Sequence, residues 1–300
     1  MTIVVVGDVV TDIHAVHSGP IAVGSDTPAA IRVLGGGSAA NTAAWLAAAG
    51  ARVELVAVVG RDRAGDDRIA ELTAAGVGCV HIRRTDDART GSIVVLAHGH
   101  ERSFLTDRGA NLLLVPSDVD PALGPGARHL HLSGYVLLDE ASRPAGVHAL
   151  AAARERGLST SVDMASAEPL RRAGPSTVLG WVRGVDLLFA NLDEARVMVD
   201  EQDPLDLARA LTAHASHVVV KLGAEGSVWA SAGVAVQAPS VTVGTVVDVT
   251  GAGDAFAAGV LQAWLNGSEP MECLVAGAQL GAAAVTAAGG RPPDNVSRGR

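Results

Sequence analysis

Lysine is nearly absent from this chain. Lys221 is the only one in 300 residues, and every other of the 23 Lys/Arg positions is arginine. Basic charge is in deficit as well. The formal net charge is −9, which argues against a nucleic-acid partner held by phosphate attraction. Cysteine is scarce, and Cys79 and Cys273 form no CxxC or framework spacing, so both are expected as reduced thiols in a cytoplasmic protein. No apolar run reaches membrane-spanning length, and Met1–Val10 carries neither a basic n-region nor a cleavage site, so no membrane partner is expected. The absence of GxxxxGK[ST] excludes a P-loop enzyme. Repeat periods, heptads and low-complexity linkers are missing too. What is present is a chain 48% hydrophobic and 18% charged, long enough for one large α/β domain or two small ones.

The most informative stretch is Asp248-Val249-Thr250-Gly251-Ala252-Gly253-Asp254-Ala255-Phe256-Ala257-Ala258-Gly259. It follows an apolar run, Val241–Val247, that reads as a strand, and precedes a helix-like run, Ala255–Leu265. Small residues at 251 to 253 let three backbone N–H groups converge at a helix N-terminus, where unpaired amides and the helix dipole favour an anion. A carboxylate at Asp254 is badly placed to bind that anion. It is well placed to take a proton from a hydroxyl attacking it. The local alternative is a glycine turn followed by an N-capping Asp.

From the start of the chain, Thr2–Val6 reads as a buried parallel strand ending at Gly7-Asp8, with Asp12 beyond it. Open α/β sheets place ligands at such strand ends, although Asp12 also suits a turn. Ile13–Leu34 carries Gly19-Pro20, Gly24 and Pro28 among β-branched residues, and predicts short strands outside the main sheet. Gly35-Gly36-Gly37-Ser38-Ala39-Ala40-Asn41 then leads into the helix formers Thr42–Ala49, closed by Gly50. The glycines allow close backbone approach to a ligand, and Asn41 can offer a donor and an acceptor to sugar hydroxyls. This stretch also matches GxGxxA, so a dinucleotide site is an alternative, with Glu54 as its acid. Glu54 falls in mid-strand, however, within Arg52–Val59.

Asp66–Ala75 predicts a helix, and Gly91–Ala97 and Arg102–Thr106 predict strands. Thereafter strands (His129–Leu132, Ser159–Asp163, Val185–Ala190, Val218–Leu222) alternate with helices (Ala145–Arg156, Asp206–Ala213), which predicts a mainly parallel sheet. The pairs His98/His100 and His129/His131 would each share a strand face, and a metal is one reading of them. Asn191 and Glu194 could order a hydrated Mg²⁺ near nucleotide phosphates, or form a helix cap. Lys221-Leu222-Gly223-Ala224-Glu225-Gly226 suits passage of a nucleotide, or a hairpin turn. Arg291–Arg300 reads as a loose tail.

With GGGSAAN near its front and DVTGAGDAFAAG near its back, the chain resembles the ribokinase-like (PfkB) family of carbohydrate and nucleoside kinases. The match extends from Gly7-Asp8 to Ala284–Gly290, and Val249 stands where that family often has Thr. The resemblance implies a doubly wound, mainly parallel sheet with helices on both faces. It implies one kinase domain over residues 1–300, with a β lid from about 13–34 and 91–106. It makes Asp254 the base and Gly251, Ala252 and Gly253 the anion hole. Asp12, Gly36, Gly37 and Asn41 would bind substrate. Asn191 and Glu194 match the family's NxxE motif for Mg²⁺ and phosphate. Lys221, Gly223 and Gly226 match its ATP loop, although Thr is more usual at 221. In members activated by K⁺, the matching positions are Asp248, Thr250, and backbone at Ala284, Ala287 and Gly289.

Two departures bear on substrate. Ribokinases proper have a Lys where Ser38 stands, and a mid-chain Glu where this chain has Ser133-Gly134. Tyr135, the only tyrosine, is expected to pack. The reaction expected is ATP-dependent phosphorylation of a primary hydroxyl of a small sugar or sugar-like alcohol. A nucleoside kinase is the nearest alternative; a non-catalytic nucleotide or sugar sensor and an NAD-dependent dehydrogenase are the others. Exposed lid strand edges can pair between subunits, so a homodimer through the lid is expected.

Overall fold

A computed structural model of the chain describes residues 1–98 and 101–293. Its strands in chain order are β1 (Thr2–Val6), β2 (Val10–His17), β3 (Ala29–Gly36), β4 (Arg52–Gly60), β5 (Ile82–Thr85), β6 (Gly91–His98), β7 (Glu101–Asp107), β8 (Ala127–Ser133), β9 (Ser159–Asp163), β10 (Val185–Asn191), β11 (Ala215–Lys221), β12 (Ser227–Ser231) and β13 (Val234–Ala238).

Nine of these strands form one sheet in the order β13-β12-β11-β10-β9-β8-β1-β4-β5. All its pairings from β11 to β5 are parallel; the β11–β12 and β12–β13 pairings are antiparallel, so β12 alone runs against the other strands. Because side chains alternate across a strand, the valine-rich runs feed two cores. Val4, Val6, Leu130, Leu132, Leu188 and Val218 face one layer, with Leu150 and Leu207 from the helices Arg143–Glu155 and Pro204–Leu211. Ile3, Val5, Leu55, Leu187, Phe189 and Val219 face the other. There they meet Trp45, Leu261 and Leu274 from the helices Ser38–Ala48, Ala252–Leu265 and Pro270–Ala284. This is the doubly wound arrangement expected. Strand order diverges at β1, which sits between β4 and β8, so a ligand crevice belongs at the C-terminal ends of these strands.

The remaining four strands form a second sheet in the order β3-β2-β6-β7. This lid comes from the two stretches expected, but its first strand begins at Val10 and its second ends at Gly36. Asp12 therefore lies within a lid strand, paired with Leu34 and Ile93, and is not a turn residue after β1.

Two other expectations need correction. Val241–Val247 forms no strand. The segment bends at Gly244 and borders a cleft, where Val241, Val243 and Val246 line one wall, and Val247 N donates to Val285 O at 2.8 Å. The hairpin β12–β13 extends the sheet beyond the alternating units. Arg291 is not part of a loose tail. Its guanidinium is nearly buried, bonded to Glu71 Oε2 at 2.8 Å and to Gly36 O at 3.3 Å. Residues 294–300 lie outside the described residues.

Candidate active site

Gly251 caps the helix Ala252–Leu265 in a left-handed conformation, φ 74°. Only glycine fits: the backbone of Gly290 occupies the space a Cβ would need. Asp254 is thus the third residue of the helix rather than its cap. Its carboxylate turns away from the helix end and is held by two side chains of the helix Ser38–Ala48. Ser38 Oγ donates to Oδ1 at 2.9 Å, and Asn41 Nδ2 donates to Oδ2 at 2.9 Å. Asn41, expected at substrate hydroxyls, here orients the acid. Desolvation pushes Asp254 up to about 7, opposed by the Asn41 bond, reinforced by Asp163, and opposed again by Ser38 and Lys221. A carboxylate poised there suits general-base work near neutral pH. Of the three amides in the turn, that of Ala252 also donates to Val249 O at 3.3 Å.

The floor of the site follows the C-terminal ends of adjacent parallel strands. Asp163 ends β9, Asn191 ends β10 and Lys221 ends β11. Lys221 Nζ donates to Asp163 Oδ2 at 2.6 Å. Burial works against this ammonium, but Asp163 and Glu194 outweigh it and raise its pKa. Asn191 and Glu194 form a reciprocal cap. Glu194 N donates to Asn191 Oδ1 at 2.9 Å, while Asn191 N and Nδ2 donate to Glu194 at 2.8 and 2.6 Å. Burial raises the pKa of Glu194, with Lys221 opposing.

At the lid side, Asp12 is buried, and its Oδ1 has no hydrogen-bond partner among the described residues. Gly36 faces it across the β2–β3 pair and leaves the room its carboxylate fills. Gly37 caps the helix that carries Ser38 and Asn41. Asp8 Oδ1 accepts from Ala39 N at 3.1 Å, and its Oδ2 lies 3.4 Å from Arg108 Nη1. Arg108 also reaches Asp139 at 2.9 Å and lies 4.0 Å above the centre of the Tyr135 ring. Tyr135 packs, as expected, but under an arginine at the cavity wall.

These groups surround a cavity of about 620 Å³ that brings together Asp12, Gly37, Asn41, Asn191, Glu194 and Asp254 with Asp8 and Asp163. It meets a second cavity of about 500 Å³, walled by Val241, Val246, Ala224, Phe256 and Ala282, at Lys221, Gly223 and Gly253. Ala252 and Gly226 line this second, apolar cavity, so the Lys221–Gly226 turn serves both as the β11–β12 connection and as a cavity wall. One cavity is thus polar, the other is apolar, and Asp254 stands beside their junction.

Asp248 lies apart. Its Oδ1 accepts from Thr250 N at 3.0 Å and Thr250 Oγ1 at 2.8 Å, and its Oδ2 accepts from Gly289 N at 3.0 Å. Ala284 ends the helix Pro270–Ala284, and its carbonyl accepts from Ala287 N at 3.3 Å, so the backbone at Ala284 and Ala287 belongs to a helix end and the turn after it. No group of three or more His, Cys, Asp or Glu that could hold a metal occurs among the described residues.

The other metal and cofactor readings do not match this geometry. His129 and His131 are buried. Ser159 and Ser161 hold both ring nitrogens of His129 at 2.8 and 2.7 Å, and Ser161 lies 2.8 Å from His131 Nδ1. Desolvation drives their pKa values down to about 3 and about 4. His100 lies outside the described residues. Glu54 sits in mid-strand on β4, opposite Gly78, away from the glycine turn, and that turn follows lid strand β3, not β1. Sequence reasoning missed Asp8, Asp163 and Arg108. Asp8 follows the apolar run Thr2–Val6, the same signal that drew attention to Asp12; Asp163, at the end of Ser159-Thr160-Ser161-Val162-Asp163, and Arg108 carry no such signal.

Comparison with protein families matches residues 1–296 to the pfkB family carbohydrate kinase. The chain is 30% identical to the 2-dehydro-3-deoxygluconokinase of Thermoproteus tenax, over 91% of this chain and 85% of that one. It is 33% identical to the ATP-dependent ribose-1-phosphate kinase of Halopiger xanaduensis, over 78% and 75%. Among solved structures, the adenosine kinase from Sinorhizobium meliloti superposes with a TM-score of 0.87 at 25% identity, over 98% of this chain and 97% of that one.

Proposed function

The chain belongs to the pfkB family of carbohydrate kinases, and from that premise we propose that it transfers the γ-phosphoryl group of ATP to a primary hydroxyl of a small sugar or sugar-like alcohol. The observation that carries this reading is the Asp254 carboxylate, held by Ser38 and Asn41 where a polar cavity meets an apolar one. In this reading the apolar cavity takes the nucleotide base, with Gly223 and Gly226 in its wall. The polar cavity takes the acceptor, with Asp12 and Gly37 in its wall and Gly36 giving the Asp12 carboxylate its room. Asp254 removes the hydroxyl proton as the oxygen attacks phosphorus. The amides of Gly251, Ala252 and Gly253 stabilise charge on the transferring group.

Asn191 and Glu194 stand in the wall of the polar cavity, and because both Glu194 oxygens accept within the cap, they would hold a hydrated Mg²⁺ through its waters. When bound, that ion neutralises charge on the phosphates. Asp248, Thr250 and backbone at Ala284, Ala287 and Gly289 would hold K⁺, an ion that prefers such oxygens. We read residues 1–300 as one kinase domain. It would work as a homodimer, since Val16, Ile31, Val33 and Leu105 are exposed on the lid. No helix among the described residues is long and apolar enough to cross a membrane; dependence on ATP and two free thiols support a cytoplasmic setting.

A nucleoside acceptor is the second reading, favoured by the overlap with an adenosine kinase. ADP release with a panel of pentoses, hexoses, sugar acids, ribose 1-phosphate and nucleosides tests both. Turnover with a sugar or sugar acid supports the first reading. Turnover with nucleosides alone selects the second, and no turnover with any acceptor rejects the kinase.

A further inference from the structure

The single lysine of this chain stands at the junction of the two cavities. Arginine serves at every other position in the Lys/Arg set, so general solubility does not explain Lys221. Its side chain is mostly buried, 15% exposed, and lines both cavities. One N–H of its ammonium is bound by Asp163 at 2.6 Å. An ammonium has three donors, so two remain. A Cβ built at Gly253 would lie 3.3 Å from Nζ, which puts the ammonium against the first turn of the helix that carries Asp254. Asp163, Glu194 and Asp254 line the same cavity as Lys221, three carboxylates to one cation. A compact point charge fits here. A planar guanidinium, larger and fixed in its fork, does not.

We propose that Lys221 is a catalytic residue whose ammonium contacts the phosphoryl group in flight, with Asp163 as the positioning residue that aims it. This rests on the kinase reading above and goes beyond a wall for the nucleotide. The bond from the acceptor oxygen to the γ-phosphorus forms as the bond from that phosphorus to the bridging oxygen breaks. The bridging oxygen keeps the electron pair and leaves with ADP. Asp254 receives the hydroxyl proton, and Lys221 keeps its own throughout. Its charge offsets the negative charge that collects on the moving group beside three carboxylates, an effect that water would otherwise screen.

The test compares Lys221→Met, Lys221→Arg and the double variant Lys221→Met/Asp163→Asn with wild type. The double variant leaves no unpaired carboxylate at 163, so a merely structural ion pair would recover with it. We expect kcat to fall about 10²–10³-fold in all three, the range for a lost electrostatic donor. ADP affinity by calorimetry should stay within a few-fold. A second readout exploits the single lysine: the only amines that acetic anhydride can label are Nζ of Lys221 and the α-amine. A non-hydrolysable ATP analogue should slow labelling at Lys221 at least fivefold relative to ADP, as read by peptide mass. Double-variant turnover within fivefold of wild type overturns the assignment, as does equal labelling with the analogue and ADP. Either result leaves the kinase reading standing. Wild type that releases no ADP with any acceptor overturns the kinase reading and the assignment together.

Discussion

Ser38 Oγ lies 2.9 Å from Asp254 Oδ1, on the oxygen opposite the one that Asn41 holds. Both donors are neutral. A lysine at 38, the residue the resemblance associates with ribose, would bring a full charge against the base and pull its pKa down. Serine leaves the carboxyl near 7, with burial as the larger influence. The substitution thus changes the setting of the base, not only the contacts to substrate.

Replacing Asp254 with Asn should lower kcat by at least about 10²–10⁴-fold, the loss typical of general-base removal. The fold should survive. Burial raises the folded-state pKa of Asp254 to about 7, above its usual 3.8. Folded protein therefore binds the proton more tightly, and stability falls as pH rises from about 4 towards 7. At pH 8 the Asn variant should melt at or above wild type, with the gap closing below pH 6. Thermal melts at both pH values and steady-state rates check this; a rate within a few-fold of wild type removes Asp254 from the mechanism.

The pH profile should locate the base. Ionised Asp254 is the active form, so kcat/KM should fall about tenfold per unit below an apparent pKa near 7. Ser38 and Asn41 both pull that pKa down. Ser38→Ala should therefore shift the acid limb to higher pH. An unchanged or downward-shifted limb would contradict the assignment.

Ribose should not be the best acceptor. Ser38 is committed to Asp254, and backbone of Asp163 and Met164 lies where a side chain at Gly134 would go, so the groups that grip ribose have no counterpart. Competition assays among ribose, hexoses, sugar acids and nucleosides measure this. The highest kcat/KM for ribose refutes it.

Activity should rise several-fold when tetramethylammonium is replaced by K⁺ at constant ionic strength. Asp248 ties the turn before Gly251 to Gly289. An ion held beside it would fix that turn, and with it the amides aimed at the phosphate. Asp248→Ala should abolish the response. Equal rates in the two salts, with Mg²⁺ and acceptor saturating, sink the idea.

Much of the fold was legible because it depends on local pattern. The valine-rich run Thr2–Val6 reads as a strand, since a strand buried on both faces needs no polar alternation. GGGSAAN and GAGD marked the two helix starts that meet at Asp254, because small residues there serve backbone geometry that few sequences satisfy. Only the tertiary structure decided what those helix starts do to each other. Asn41 and Asp254 are separated by 213 positions, and nothing in either segment says that the amide orients the acid. Lys221 finding Asp163 across two strands is of the same kind. Val241–Val247 failed for the converse reason. A valine-rich run fits a strand and a cleft wall equally well, and the difference lies in whether a neighbouring strand supplies ladder hydrogen bonds. Local sequence sets what a segment can be, and long-range packing chooses the partners that turn it into a site.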